Sequence, residues 1–155
     1  MRSSLAVLAA VLSTGLVASG CSKGSDDLTI WQADLAGSNE VPARDTAASG
    51  TAGITFDGTN LSFVIRVQNI DDVILAHIHS GAAGANGPVR VDLFLGPSTS
   101  VTDGTLAEGT LTAANVRGVT FEELLDQMRT GNAYVNVHTT RFPGGEIRGQ
   151  TRMLQ

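Results

Sequence analysis

The chain has 155 residues, a formal charge of −5, 42% hydrophobic residues, only 5% aromatic ones and 18 glycines. That size suits one domain with an ordinary core, and an acid excess without any basic cluster excludes nucleic acid and anionic lipid headgroups as electrostatic partners. Few aromatics and many glycines favour short strands and turns around Val, Ile and Leu over long helices.

Residues 1–20 open with Met1 and Arg2, run apolar from Leu5 to Val17 and end in the small residues Ala18, Ser19 and Gly20. These are the parts of an export signal, and the run is shorter than the roughly twenty apolar residues of a spanning helix, so its removal is predicted. Leu16-Val17-Ala18-Ser19-Gly20-Cys21 resembles the lipobox of bacterial lipoproteins, with Ala18 where the strongest examples carry leucine. The resemblance implies lipid on Cys21 as the first mature residue, and hence an exported protein anchored to a bacterial membrane, facing the periplasm or the cell exterior. Cys21 is the single cysteine, so the folded part has no internal disulfide. Residues 22–27, Ser-Lys-Gly-Ser-Asp-Asp, are small and polar, as a flexible tether is. The domain is expected over residues 28–155.

Strands are predicted at Leu28–Leu35, Thr51–Phe56, Leu61–Val67, Val73–His79, Val89–Leu95, Thr105–Leu111, Ala133–Thr139 and Glu146–Met153. Alternation is cleanest where Leu61, Phe63, Ile65 and Val67 face one side, and where Val89, Val91, Leu93 and Leu95 oppose Arg90 and Asp92. Asp57-Gly58-Thr59-Asn60 reads as a hairpin turn. One helix is predicted at Thr120–Arg129: Thr120 and Glu123 fit a capping box, Phe121, Leu124, Leu125 and Met128 form a stripe, and Gly131 stops it. Seven or eight short strands with one helix predict an all-β fold, an antiparallel sandwich or flattened barrel.

Three stretches stand out: Asn39-Glu40-Val41-Pro42, Ala76-His77-Ile78-His79, and Tyr134-Val135-Asn136-Val137-His138-Thr139 leading to Gly145-Glu146-Ile147-Arg148-Gly149-Gln150. In order and spacing they resemble the CHRD (chordin) domain family over about Leu28 to Met153. The resemblance implies a β-rich extracytoplasmic domain. In animal chordins it accompanies binding of secreted signalling proteins, but the cysteine-rich modules found there are missing here, so that activity does not carry over.

Residues two apart on a strand share a face. His77 and His79 therefore project opposite Ala76 and Ile78, Tyr134, Asn136 and His138 project opposite Val135 and Val137, and Glu146, Arg148 and Gln150 project opposite Ile147. If the strands are neighbours, His77, His79 and His138 converge on one copper or zinc ion at the sheet surface, with Asn136 or Glu146 orienting or completing the site and Arg148 supporting it. The His-x-His strand is also similar to the copper strands of Cu,Zn superoxide dismutase. This chain has too few histidines and no disulfide for that enzyme. The competing reading is a metal-free hydrogen-bonded network that pins the Ser80–Pro88 loop to the sheet.

Glu146 and Arg148, sharing a face, are expected to form an ion pair with each other or with a neighbouring strand, a surface pair worth under about 1 kcal/mol. Glu40 has no second acid or base spaced to pair with it and is expected to fix a strand end. Ser80 lacks a nucleophile elbow, and the glycine-rich 81–88 loop lacks the lysine and hydroxyl of a phosphate-binding loop. With no catalytic constellation, the expected class is a non-enzymatic binding or envelope-surface module. Its partners are the membrane, through lipid on Cys21, and an envelope or extracellular protein; the alternative is the copper or zinc site.

Overall fold

The computed structural model describes residues 28–99 and 103–154. The expected export signal, the expected lipidation at Cys21 and the expected tether lie outside the described residues.

Among the described residues nine strands form one antiparallel sheet: β1 (Thr29–Ala36), β2 (Ser49–Phe56), β3 (Leu61–Gln68), β4 (Val73–Ser80), β5 (Val89–Thr99), β6 (Gly104–Leu111), β7 (Ala133–Thr139), β8 (Ile147–Gln150) and β9 (Arg152–Met153). Their order is β5-β4-β7-β8-β1-β2-β3-β6, with β9 beside β1. The edge strands β5 and β6 return alongside each other, so the sheet is a nearly closed barrel. Each predicted strand is present, with one division. The stretch expected as Glu146–Met153 breaks at Thr151, whose backbone N–H and hydroxyl turn to the Ala133 carbonyl.

The core is set by the alternation. Trp31, Ala33 and Leu35 of β1, Ile54 of β2, Leu61, Ile65 and Val67 of β3, Ala76 and Ile78 of β4, and Val135 and Val137 of β7 are all buried in one cluster. The hairpin between β2 and β3 follows its predicted chemistry: Asp57 Oδ1 accepts from the N–H groups of Thr59 (2.8 Å) and Asn60 (2.7 Å). The helix α1 (Phe121–Arg129) buries Leu124, Leu125 and Met128. Its capping box closes as Thr120 Oγ1 accepts from Glu123 N–H (3.2 Å) and Glu123 accepts from Thr120 N–H (2.7 Å).

One expectation is overturned. The non-core face of β4, β7 and β8 is not a solvent-facing surface, because all seven residues of β7 are buried, and so are His77, His79, Arg148 and Glu146. Two loops cover it, the segment around Glu40 and Val41 and the turn from Gly81 to Pro88. They are joined where Asn86 Nδ2 donates to the Val41 carbonyl at 2.9 Å. The protein thus has a second interior, polar where the first is aliphatic.

Candidate metal centre

The strands β4 and β7 are antiparallel neighbours, so the condition for convergence is met. His77 lies opposite Asn136, His79 opposite Tyr134, and Leu75 opposite His138. In the β4–β5 pairing the register shifts at Ala76/His77 and again at Ile78/His79. Such irregularities re-aim side chains, and here one falls immediately before each of the two histidines.

The three rings meet at one place. Their centroids are 5.5 Å (His77 to His79), 4.9 Å (His77 to His138) and 6.0 Å (His79 to His138) apart, and one nitrogen from each lies within 4.8 Å of the others. Burial holds all three rings below the usual histidine pKa. For His77, burial and then the neighbouring imidazoles of His138 and His79 push it down to about 4, partly opposed by Asp92. For His79 and His138, burial likewise outweighs the hydrogen bonds to backbone carbonyls that favour the charged form. At neutral pH each ring therefore carries one proton and one lone pair.

The outer contacts decide which nitrogen has the proton. The Nδ1 of His79 faces the Gly87 carbonyl at 2.9 Å and the Nδ1 of His138 faces the Pro143 carbonyl at 3.0 Å. A carbonyl only accepts, so both rings donate from Nδ1 and keep their lone pairs on Nε2. The His79 Nε2 so exposed is buried with no hydrogen-bond partner. For His77, Nε2 stands 3.4 Å from the Asp92 carboxylate while Nδ1 stands 3.1 Å from His138 Nε2. A proton on Nε2 satisfies Asp92 and leaves two lone pairs facing each other. A proton on Nδ1 satisfies His138 and turns a lone pair at a carboxylate. Either placement leaves a repulsion that a cation among the three nitrogens removes. Rings held from behind by carbonyls and a carboxylate are the usual arrangement of metal-ligating histidines.

Around this cluster runs a buried ionic network. Arg148 reaches Glu40 Oε2 with Nε at 2.8 Å and with its terminal nitrogen at 2.7 Å, and Asn136 donates to Glu40 Oε1 at 2.5 Å. The Arg148 guanidinium lies 4.5 Å over the Tyr134 ring, which itself stacks on His79 at 4.8 Å and 9°. Arg148 also donates to the Ala85 carbonyl (3.2 Å) and Asn86 Oδ1 (2.6 Å), and Gln150 donates to the Gly81 carbonyl (2.7 Å). The expected pinning of the 81–88 loop is therefore present. Gly145, at φ 118°, leaves room for Glu40 and Asn136: a β-carbon there would lie 2.7 Å from each. A cleft of about 330 Å³ opens beside the network, with Glu40 and Arg148 in its wall and none of the three histidines.

The structure corrects several expected roles. The three-histidine cluster is formed as expected, but beneath two loops instead of on the sheet surface. Glu146 does not pair with Arg148; its oxygens accept from Thr46 and Thr139 hydroxyls at 2.6 Å each. Glu40 is no strand-end fixture but the buried partner of Arg148, and the pair is an interior one. Asp92 was not recognised from sequence as part of the site, although its parity opposite Val91 and Leu93 put it on the histidine face. Ser80 Oγ donates to Gln127 and accepts from Arg90 Nε at 2.7 Å, which ties the hydroxyl into structure.

The loop depends on one close approach. A β-carbon at Gly87 would lie 1.6 Å from the Ser80 carbonyl oxygen, so Gly87→Ala is expected to lower unfolding stability by at least about 2 kcal/mol. The loop carries the carbonyl that orients His79, so the same variant is expected to lose amide-exchange protection around residues 81–88. Wild-type stability and protection would contradict this account.

The described residues form a nearly closed antiparallel barrel with a buried histidine cluster beneath two of its loops. The family model described as CHRD domain matches residues 31–151, and the chain belongs to that family. No curated protein and no solved structure matches the chain.

Proposed function

We propose that this chain is a non-enzymatic extracytoplasmic module that binds one transition-metal ion through His77 Nδ1, His79 Nε2 and His138 Nε2, and that lipid on Cys21 holds it at a membrane. One observation carries the metal reading: three neutral imidazoles, oriented from behind, turn their lone pairs to a common point where one of them has no partner at all. Metal–imidazole bonds of about 2.0 Å imply nitrogens about 3.3–3.5 Å apart. The His77–His138 separation of 3.1 Å is close to that value, and small ring rotations bring the third nitrogen in. Copper and zinc both accept imidazole. Asn136, Glu146 and Arg148 do not complete the donor set. Their partners place them in the scaffold that supports β7, β8 and the roof.

The anchoring half of the proposal rests on the export-signal composition of residues 1–20 and the lipobox-like sequence before Cys21. Its test is membrane fractionation of the full chain, in which Cys21→Ser is expected to release the protein. The other reading, a surface module that docks an envelope or extracellular protein, rests on family membership alone.

Metal that binds only the folded state stabilises it by ligand linkage, about 4 kcal/mol when free metal is a thousandfold above Kd. Adding copper or zinc to chelator-treated protein is therefore expected to raise Tm by several degrees, and His79→Ala is expected to abolish the rise. A metal-dependent increase that persists in the variant would place the ion elsewhere. No increase in the parent protein would refute the metal reading.

A further inference from the structure

The charge distribution around the three rings bears on which ion they select. We infer that the pocket discriminates in favour of monovalent copper over divalent cations; this rests on the three-histidine reading above and adds the identity of the ion.

Among the described residues the clustered donors are three neutral rings, with no carboxylate or thiolate among them. Two carboxylates and two guanidinium groups act on the rings through space, Asp92, Glu40, Arg117 and Arg148. Each carboxylate already has a guanidinium. Arg117 grips Asp92 with both terminal nitrogens, one at 2.8 Å, and Arg148 grips Glu40. These four charges sum to zero, so an entering ion brings its full charge into a site whose rings are only 6–7% exposed. The cost of taking an ion out of water rises with the square of its charge, so a divalent ion costs about four times as much as a monovalent one of equal size.

Coordination number points the same way. Zinc takes four ligands, so on three histidines it must bring a water into the fourth position, and divalent copper prefers a tetragonal set. Among the described residues the clustered donors number three. Two further polar groups of β7 are turned to other partners: the Tyr134 hydroxyl accepts from Gly87 N–H, and Asn136 Nδ2 donates to Glu40 and to the Ile147 carbonyl. Asp92 stands behind His77, on the nitrogen that faces away from the cluster. A monovalent d¹⁰ copper ion is complete with three nitrogens and needs none of these groups.

The test uses the full chain, stripped of metal and reduced under anaerobic conditions. Competition against a chromophoric cuprous chelator is compared with competition against a zinc chelator. The expected result is one cuprous ion per chain, bound at least about a hundredfold tighter than zinc, with both affinities lost in His138→Ala. Arg117→Gln supplies a readout that a merely structural role would not move. It frees the Asp92 charge beside the site without touching a donor, and Coulomb energy scales with ion charge, so the gain in log affinity for zinc is expected to be about twice that for cuprous copper. Zinc binding as tight as or tighter than cuprous copper would overturn the selectivity and leave the metal site standing. Binding of neither ion would overturn both. Equal gains for the two ions in Arg117→Gln would remove the charge argument.

Discussion

Arg148→Met is expected to lower the unfolding free energy by about 3–5 kcal/mol, because it strands the Glu40 carboxylate in the interior. Glu40 is 5% exposed, and Arg148 meets its Oε2 with a hydrogen bond from Nε and an ion-pair contact from a terminal nitrogen. The substitution also removes the cation over Tyr134 and the bonds to Ala85 and Asn86 that hold the roof. Methionine is apolar and similar in length, so the packing loss is kept small and the stranded charge dominates. The measurement is urea unfolding of the single variants Arg148→Met and Glu40→Gln and of the double variant. Removal of both partners is expected to cost clearly less than the sum of the two single changes, a coupling of about 1–3 kcal/mol. Strict additivity would show that the two side chains do not support each other.

Acidification is expected to destabilise the metal-free protein between pH 6.5 and about 4. The sign follows from the buried rings: folding depresses their pKa, so the unfolded chain takes up protons first as pH falls, and stability drops wherever the unfolded state binds more protons. Stability is complete above the unfolded histidine pKa of about 6.5 and declines below it. For His77, whose folded pKa is pushed down to about 4, the full loss is on the order of 3 kcal/mol, and His79 and His138 add to it in the same direction. Urea midpoints measured without metal at pH 7.5 and pH 5 test this, and His77→Asn is expected to flatten the difference. Identical midpoints in the parent protein would mean that the rings are not held neutral.

Much of this architecture is legible in the residues. Period-two alternation located each strand, and the side-chain oxygens of Asp57 and Thr120 marked a turn and a helix start. Parity also assigned His77, His79 and His138 to one face, which depends only on local pleating. What covers that face is not local. Glu40 meets Arg148 across 108 positions of sequence, and the two loops that make the roof have no periodicity to betray their burial, so a face that reads as solvent-exposed is in fact a second interior. Asp92 illustrates the same limit. Its direction was readable, but its position behind His77 needed the pairing of β4 with β5 and the register shifts within it. Glu146 and Arg148 share a face by alternation, yet alternation says nothing of the Thr46 hydroxyl that reaches Glu146 from a distant segment.

The donors His77 and His138 stand 61 positions apart and touch only because β4 and β7 pair. An extended chain offers a passing ion no more than the short His-x-His stretch, and the third nitrogen arrives only with the finished barrel. On the proposed metal reading, uptake would be a late event, downstream of folding. For a protein threaded through a translocation pore as an unfolded polymer, the cargo would come from whichever pool surrounds it on arrival, and the cytosol would have no part in loading it.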